Sequence, residues 1–181
     1  MPSYNSQDYL SKCVESLLVG GDDVEIIIVD DGSTDNTAKI ADEYQQKYPD
    51  IVRAVHKPNG GHGSGVNAGL KHASGLYYKV VDSDDWVDAE AYKKLLSTIK
   101  EHVAAGTEAD MYIVNFVYEH VNDNTRYVSD YVKNFPQNRF FGWDEIKPLK
   151  LWKMILMHSI VYKTENLRAS GIELPEHTFY V

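Results

Sequence analysis

The sequence predicts an α/β fold in which a mostly parallel sheet is flanked by helices. Strand and helix patterns alternate through the first two-thirds of the 181 residues. The segment 24–29 (VEIIIV) is apolar at nearly every position, which is typical of a strand buried on both faces of a parallel sheet. Acidic or glycine-rich turns follow the strands, so polar residues should gather at one sheet edge.

The predicted elements follow one another in a regular order. Apolar side chains that recur at helical spacing predict the helices, and short apolar runs between turn residues predict the strands. Gly20-Gly21 and Pro49 mark the ends of the first two helices. The predicted helices cover 5–18, 34–48, 66–73 and 88–104, and the predicted strands cover 24–29, 51–55, 76–81 and 111–120.

The last third of the chain lacks clear periodicity. Residues 121–148 mix polar and aromatic side chains, and 149–162 could be helix or strand. We interpret 1–181 as one domain in which residues after about 107 form an irregular cap on the sheet. The aromatic residues there fit core packing better than a saccharide-stacking wall. They are Phe140, Phe141, Trp143 and Trp152.

Composition and charge exclude several classes of protein. The formal net charge of −9 argues against nucleic acid as a partner, because phosphate backbones select basic surfaces. No stretch approaches the roughly 20 apolar residues of a transmembrane helix, and residues 1–5 do not resemble a signal peptide. The single cysteine, Cys13, lies among apolar residues at helical spacing, so we predict a buried thiol and a reducing cytoplasmic compartment.

An acidic turn, Asp82-Ser83-Asp84-Asp85, follows the predicted strand at 76–81. Three carboxylates in four residues repel one another unless a cation or hydrogen-bond donors compensate. Magnesium typically takes one or two protein carboxylates and completes its coordination with ligand phosphates. The turn therefore predicts a divalent cation on Asp84, with Asp85 as a second ligand candidate. A solvated turn that caps the next helix explains the pattern equally well.

Two further segments should reach the same edge. Only one of the adjacent residues Asp30 and Asp31 can cap the following helix, which leaves the other for a base edge or a ribose hydroxyl. The segment 59–69 (NGGHGSGVNAG) contains five glycines and leads into a helix amino terminus, where backbone amides favour anions. It lacks the lysine of a phosphate-binding Walker loop, and a flexible connection remains open. His62 is predicted to be a loop histidine.

Taken together and in order, these segments resemble the family 2 glycosyltransferases of the GT-A fold. The likeness covers about residues 1–105 and rests on 1–5 (MPSYN), 26–35 (IIIVDDGSTD), 59–69 and 81–86 (VDSDDW). It implies a Rossmann-like nucleotide-sugar-binding half at 1–106. Residues 107–181 would then be the acceptor-side half, which the resemblance implies is incomplete.

The resemblance also implies roles for individual residues. Pro2 and Tyr4 would line the nucleotide base, Asp31 would hydrogen-bond the base, and Asp82 would contact the ribose. Mg²⁺ or Mn²⁺ on Asp84, aided by Asp85, would hold the diphosphate. The residues implied to bind the nucleotide sugar are Pro2, Tyr4, Asp31, Asn59, Gly60, Gly61, Asn67, Asp82 and Ser83.

Two departures from the family pattern affect this interpretation. Val66 stands where many relatives carry an arginine, so Lys57 is the alternative cation for the donor. Relatives carry an acidic general base that aligns at or just beyond Val181, and Glu176 is the nearest acidic candidate in this sequence. The chain is therefore expected to be trimmed at both ends.

The implied reaction transfers a sugar, with inversion, from a nucleotide diphosphate donor such as a UDP-sugar to a saccharide or lipid-linked acceptor. Such an enzyme would serve polysaccharide or cell-envelope biosynthesis in the cytoplasm, with peripheral association at the inner face of the membrane. Two alternatives stay open. One is a sugar-phosphate nucleotidyltransferase, although its basic glycine loop is missing. The other is a non-catalytic module that binds a sugar nucleotide or a partner protein.

Overall fold

The computed structural model describes residues 1–120, 123, 125–150 and 154–178. Its strands are β1 (Pro2–Ser3), β2 (Ile26–Asp30), β3 (Val52–His56), β4 (Tyr77–Tyr78), β5 (Met111–Ile113), β6 (Phe116–His120), β7 (Thr125–Ser129) and β8 (Ile160–Lys163). Its α-helices are α1 (Leu10–Leu18), α2 (Thr37–Lys47), α3 (His62–His72), α4 (Ala89–Ala104) and α5 (Thr164–Ser170). Short 3₁₀ turns lie at Gly21–Asp23, Trp143–Glu145 and Met157–Ser159.

A three-stranded parallel sheet, in the order β1-β2-β3, forms the first half of the fold. Every residue of β2 is buried, as its uninterrupted apolar sequence predicts. The register pairs Ser3 with Asp30 and Asp30 with His56. All three strands therefore end at the same level, and the segments that follow them emerge at one edge.

The hydrophobic core lies between this sheet and α1. Leu10, Cys13 and Val14 of α1 are fully buried and pack in one cluster with Ile28 and Val52 of the sheet. Burial raises the pKa of the Cys13 thiol to about 12, so the thiol stays protonated. The predicted buried cysteine is confirmed, and the sequence pattern that predicted α1 reflects this packing.

In a second sheet, with the order β4-β8-β5, a strand near the end of the chain lies between two strands from its middle. β8 lies antiparallel to both neighbours, with Tyr77 opposite Lys163 and Met111 opposite Tyr162. Strand β8 begins inside the segment 149–162, whose structure the sequence left open. Residues beyond 107 thus contribute a central strand as well as a cap, which the interpretation as an irregular cap did not anticipate.

Several element predictions were wrong in their bounds: the helix predicted at 5–18 begins at Leu10, and the strand predicted at 76–81 covers only Tyr77–Tyr78. The strand predicted at 111–120 is two strands, because β5 pairs with β8 whereas β6 leaves that sheet and forms a hairpin with β7. The sequence signal for this change of partner is a single polar residue, Asn115, between the two strands. The helix predicted at 66–73 begins at His62, inside the segment predicted to be a loop, since backbone bonds such as Gly65 N to Gly61 O close its first turn.

Of the four aromatic residues considered in the sequence analysis, the three that the structure describes do not pack into one core. Trp143 is 73% exposed and Phe140 is 48% exposed, so the core-packing prediction was wrong for both. Phe140 contacts His102, with ring centroids 4.5 Å apart. Phe141 is partly buried and lies against Phe135. Trp152 lies outside the described residues.

None of the helices in the described ranges combines the length and the apolar character that crossing a membrane requires.

Candidate functional site

The ends of the parallel strands bring the predicted site residues to one edge. Tyr4 follows β1, Asp31 follows β2 and Lys57 follows β3, and the register of the three strands places these positions side by side. The acidic turn meets the same edge, because the hydroxyls of Ser83 and Ser6 lie 2.6 Å apart. The convergence predicted from the sequence is therefore confirmed.

Asp31 fastens the glycine-rich segment to β2. Its carboxylate is only 4% exposed and accepts hydrogen bonds from the backbone amides of Gly60 and Gly61, the latter at 2.7 Å. The ammonium of Lys57 lies 2.5 Å from the same carboxylate. Asn59 donates its side-chain amide to the Asp31 carbonyl at 2.9 Å. These bonds engage both carboxylate oxygens and the Lys57 cation within the protein, and the predicted contact of Asp31 with a base stays a prediction.

Glycine is required where this segment turns. Gly61 has a φ of +86°, which side chains other than glycine rarely adopt. A Cβ atom at Gly60 would lie 2.5 Å from the Ser64 hydroxyl and 2.9 Å from the Lys57 ammonium. Glycine therefore lets this segment pack closely against Ser64 and Lys57 while its amide groups bond to Asp31.

His62, the first residue of α3, bonds to the acidic turn. Its Nε2 lies 2.8 Å from Oδ1 of Asp82. This hydrogen bond raises the pKa of His62 above its usual value. Burial by itself would raise the pKa of Asp82, but the hydrogen bond and the charge of His62 hold it below the usual range. Asp82 is thus an oriented carboxylate rather than part of a solvated turn.

His158 approaches the acidic turn from the other side. Its Nδ1 lies 3.6 Å from Oδ2 of Asp85, and its Nε2 lies 4.0 Å from Oδ2 of Asp82. Ligand atoms of these three residues all fall within 4.8 Å of one another, which is the spacing of a cation site. Burial raises the pKa of Asp85, and the neighbouring carboxylates of Asp82 and Asp84 reinforce the effect against the opposing charge of His158.

The donor set fits Mg²⁺ or Mn²⁺. Carboxylate oxygens suit both ions and diphosphate oxygens would complete the coordination, whereas the imidazole of His158 is a less usual ligand for either. The buried Nδ1 of His158 has no hydrogen-bond partner among the described residues, so it faces the Asp85 carboxylate with its bonding capacity unused. Asp84, on which the sequence analysis places the cation, is exposed in the same turn and does not belong to the group of three.

Lys79 contacts the backbone of His158. Its ammonium donates to the His158 carbonyl at 2.5 Å. Burial lowers the pKa of Lys79 to about 8, and the nearby carboxylates of Asp85 and Asp82 oppose that shift. Sequence analysis missed both residues. A lysine inside the apolar run 76–81 (LYYKVV) was the only available signal, because His158 reaches the site through tertiary contacts alone.

The segment 174–177 closes over the start of α3. Glu176 Oε1 accepts a hydrogen bond from the Ser64 hydroxyl at 2.6 Å, and the His177 amide donates to the Gly60 carbonyl at 2.7 Å. Asn67 bonds to the backbone of Leu174 through both its amide nitrogen and its oxygen. As described, Glu176 and Asn67 fasten this segment, and their roles as general base and donor contact stay predictions.

Pro2 and Tyr4 lie at the end of β1. Pro2 is buried against α3, where a Cβ atom at Gly65 would come within 2.9 Å of its ring. Tyr4 is 53% exposed, which leaves a ring face available for stacking on a base.

Much of the chain is similar in sequence to known proteins. A family model described as "Glycosyl transferase family 2" matches residues 1–162. The glycosyltransferase GlyG of Streptococcus pneumoniae serotype 4 is 36% identical over 129 residues, which make up 70% of this chain and 41% of GlyG. The poly(ribitol-phosphate) beta-glucosyltransferase of Bacillus spizizenii is 40% identical over 106 residues, or 56% of this chain and 17% of that protein.

Solved structures share the fold. The crystal structure of residues 1–349 of S. aureus TarS is 26% identical and superposes with a TM-score of 0.66, covering 97% of this chain and 49% of that one. The same TarS segment in complex with UDP-GlcNAc is 23% identical with a TM-score of 0.63, a likeness that concerns the fold. The predicted GT-A-type α/β architecture is confirmed. This chain spans less than half the length of each of these proteins.

Proposed function

This chain belongs to glycosyltransferase family 2, and from that membership we propose that it binds a nucleotide diphosphate sugar and transfers the sugar to an acceptor hydroxyl with inversion. One observation carries the proposal. Tyr4, the glycine-rich segment and the acidic turn, which are distant in sequence, meet at a single edge of the parallel sheet. Ligands of open α/β sheets bind at such an edge.

The donor half of the proposed site comprises residues 1–106. Tyr4 stacks on the base, and Asp82, oriented by His62, accepts a hydrogen bond from a ribose hydroxyl. The amide groups at the start of α3 face the diphosphate. TarS has been crystallised with UDP-GlcNAc, so UDP is the first nucleotide to test with this chain.

A divalent cation at the acidic turn completes the donor half. When bound, it would stabilise the negative charge that develops on the departing diphosphate. We assign one carboxylate ligand to Asp84, which is exposed and can follow the diphosphate. Asp85 and His158 belong to the group of three next to Asp84 in the fold and are further candidate ligands. Lys79 holds the backbone of His158, as partners of metal ligands commonly do, and His62 orients Asp82.

The acceptor half comprises residues 107–181. An inverting transfer needs a carboxylate that takes the proton from the acceptor hydroxyl. Glu176 is the proposed base from within this sequence, and it must leave the Ser64 hydroxyl to act. The acceptor is a saccharide or a lipid-linked chain. The proposed location is the cytoplasm, with peripheral association at the inner face of the membrane.

A panel of UDP-sugars tests this function. We expect slow release of UDP from one member of the panel, only when Mn²⁺ or Mg²⁺ is present, and faster release once the correct acceptor is added. Formation of a nucleotide sugar from a sugar phosphate and a nucleoside triphosphate would instead show a nucleotidyltransferase. Binding of UDP without release from any sugar would favour the non-catalytic module.

A further inference from the structure

A cavity of about 680 Å³ lies beside the β6–β7 hairpin, and the described residues that line it all come from the acceptor half. Neither the acidic turn nor the glycine-rich segment contributes to its walls. Its volume falls within the range of pockets that hold an extended small molecule or a few units of a polymer. Its function is not explained by the donor site.

The described residues that line this cavity carry a net positive charge, whereas the whole chain is acidic. Lys133, Lys147 and Lys150 line it together with one acidic residue, Asp130. The chain as a whole carries a formal net charge of −9, so a wall with three lysines and one aspartate runs against the overall charge. Clefts lined by one sign of charge concentrate ligands of the opposite sign.

A buried framework holds the lysines on one wall. Asn134 is 9% exposed and donates its side-chain amide to the Pro148 carbonyl at 2.8 Å. The Lys147 amide donates to the Asn134 carbonyl at 2.9 Å. These bonds fix the backbone next to Lys133 against the backbone of Lys147. The two charges therefore belong to one built surface and not to independent loops.

Aromatic rings of the β6–β7 hairpin also line the cavity. Phe116, Tyr118 and Tyr127 line the cavity from the hairpin. The rings of Tyr118 and Tyr127 stack with centroids 6.4 Å apart, and these side chains are 48% and 64% exposed. Exposed, stacked rings offer flat apolar faces with hydroxyl groups at their ends. Such rings suit a polymeric ligand that has both C–H faces and hydroxyl groups.

The cavity adjoins the segment that carries His158. Met154 and Leu156 line it, and the chain enters the candidate metal site two residues after Leu156. Tyr131, 2% exposed, bonds to the Met154 carbonyl and to the Ser159 hydroxyl, so it joins the segment before the cavity to both sides of His158. A ligand in the cavity would thus lie against the same short segment that reaches the acidic turn.

We propose that this cavity binds the acceptor and that the acceptor is an anionic, hydroxyl-rich chain, a saccharide or polyol polymer with phosphate or carboxylate groups along it. The inference rests on the proposed glycosyltransferase function and specifies the substrate class of its acceptor half. Lys133, Lys147 and Lys150 bind the negative charges of the acceptor. Tyr118 and Tyr127 stack against its C–H faces.

Another cavity in the described part of the chain provides a contrast. It has a volume of about 740 Å³, and its charged lining residues are of both signs, with acidic Glu101, Glu108 and Asp110 beside Lys94 and Arg139. Its wall lacks the excess of positive charge. An anionic polymer is therefore expected to select the cavity at the β6–β7 hairpin.

Calorimetry with three short oligomers tests the proposal: poly(glycerol phosphate), hyaluronan and the neutral maltodextrin. We expect one of the anionic oligomers to bind, with an affinity that falls as salt rises, and the neutral one to bind at least about tenfold more weakly. The triple variant K133Q/K147Q/K150Q should lose about tenfold or more of the anionic affinity. Phosphate or carboxylate selectivity then identifies the charged group of the acceptor.

The triple variant K39Q/K47Q/K71Q is the matched control, since it removes the same charge from exposed positions outside the cavity. It should retain the anionic affinity. Equal binding of the neutral oligomer, absence of binding, or equal losses in both triple variants would overturn the proposal. Titration of the same proteins with UDP and Mn²⁺ reports on the donor site separately. If UDP does not bind but the anionic oligomer does, the result would count against the proposed function and not against the binding of an anionic polymer in this cavity.

Discussion

The Nε2 of His62 lies 2.8 Å from the Oδ1 of Asp82, and this contact joins the first turn of α3 to the acidic turn that follows β4. It links two segments that are 20 residues apart in sequence. The pair raises the pKa of His62 and orients the Asp82 carboxylate. We therefore predict that His62 orients Asp82 in the donor site and does not bind the cation itself.

Replacement of His62 by alanine should lower the Mn²⁺-dependent affinity for UDP by about tenfold, because Asp82 loses the hydrogen bond that orients it toward the ribose, and hydrogen bonds to charged groups typically contribute about 1.5–3 kcal/mol. Calorimetry in the presence of Mn²⁺ measures the loss. His72→Ala, at the other end of α3, is the control and should bind UDP as the parent does. Equal affinity of the His62 and His72 variants would show that the pair only stabilises the fold.

Lys79→Met should weaken Mn²⁺ binding by about tenfold, because it frees the His158 carbonyl that the ammonium now holds at 2.5 Å. The effect should appear as a raised Mn²⁺ requirement of UDP binding. Lys163→Met, on the neighbouring strand β8, removes a lysine that pairs with Glu108 and should leave that requirement unchanged. A similar change in both variants would argue that Lys79 acts on stability alone.

Tyr4→Ala should weaken UDP binding by about 1–3 kcal/mol, the usual contribution of one stacked base. The same change should not alter binding of pyrophosphate, which has no base. Tyr9→Ala removes another exposed tyrosine, 58% exposed at the start of α1, and serves as the control. If Tyr4→Ala weakened pyrophosphate and UDP equally, the base would lie elsewhere.

His56 should make the stability of the fold depend on pH. Its hydrogen bonds to Asp42 and to Asp30 raise its pKa above the usual value. The protonated form is therefore stabilised in the folded state. This contribution is fully present below the unfolded pKa of about 6.5 and is lost as the pH rises through the raised folded value.

Thermal denaturation of His56→Gln checks this dependence. Because the His56 side chain is 43% exposed, solvent screening limits its ion pairs, and we expect a melting temperature at most about 2–4 °C below the parent at pH 5.5. The difference should shrink as the pH rises above the raised pKa. A difference that stays constant from pH 5.5 to 9 would contradict the assignment.

The parallel sheet and its polar edge could be predicted because their signals are local. The apolar run of β2 and the glycines before α3 each report on their own surroundings. The partners that hold the site are not local. His158 lies 76 positions beyond Asp82 and carries no motif, and the bonds of Asp31 to Gly60, Gly61 and Lys57 were not predicted. Both sets of contacts depend on side-chain pairing across the fold.

The hairpin and the central strand β8 escaped prediction for a related reason. β5 and β6 are separated in the sequence by two residues, and they pair with different partners, β8 and β7. The lysines of the proposed acceptor cavity are likewise spread over 133–150, and Asn134 joins the backbone next to Lys133 to that of Lys147 and Pro148. Pairing of this kind is a tertiary property.

The central claim is that the acidic turn binds the nucleotide through a divalent cation. Calorimetry with UDP, with and without Mn²⁺, on the parent and on Asp84→Ala tests it most directly, with Asp88→Ala, which caps α4, as the matched control. We predict that UDP binding by the parent and by the control requires Mn²⁺ and that Asp84→Ala abolishes it while the melting temperature stays within a few degrees. Unchanged UDP affinity in Asp84→Ala, or binding of equal strength without Mn²⁺, would contradict the account.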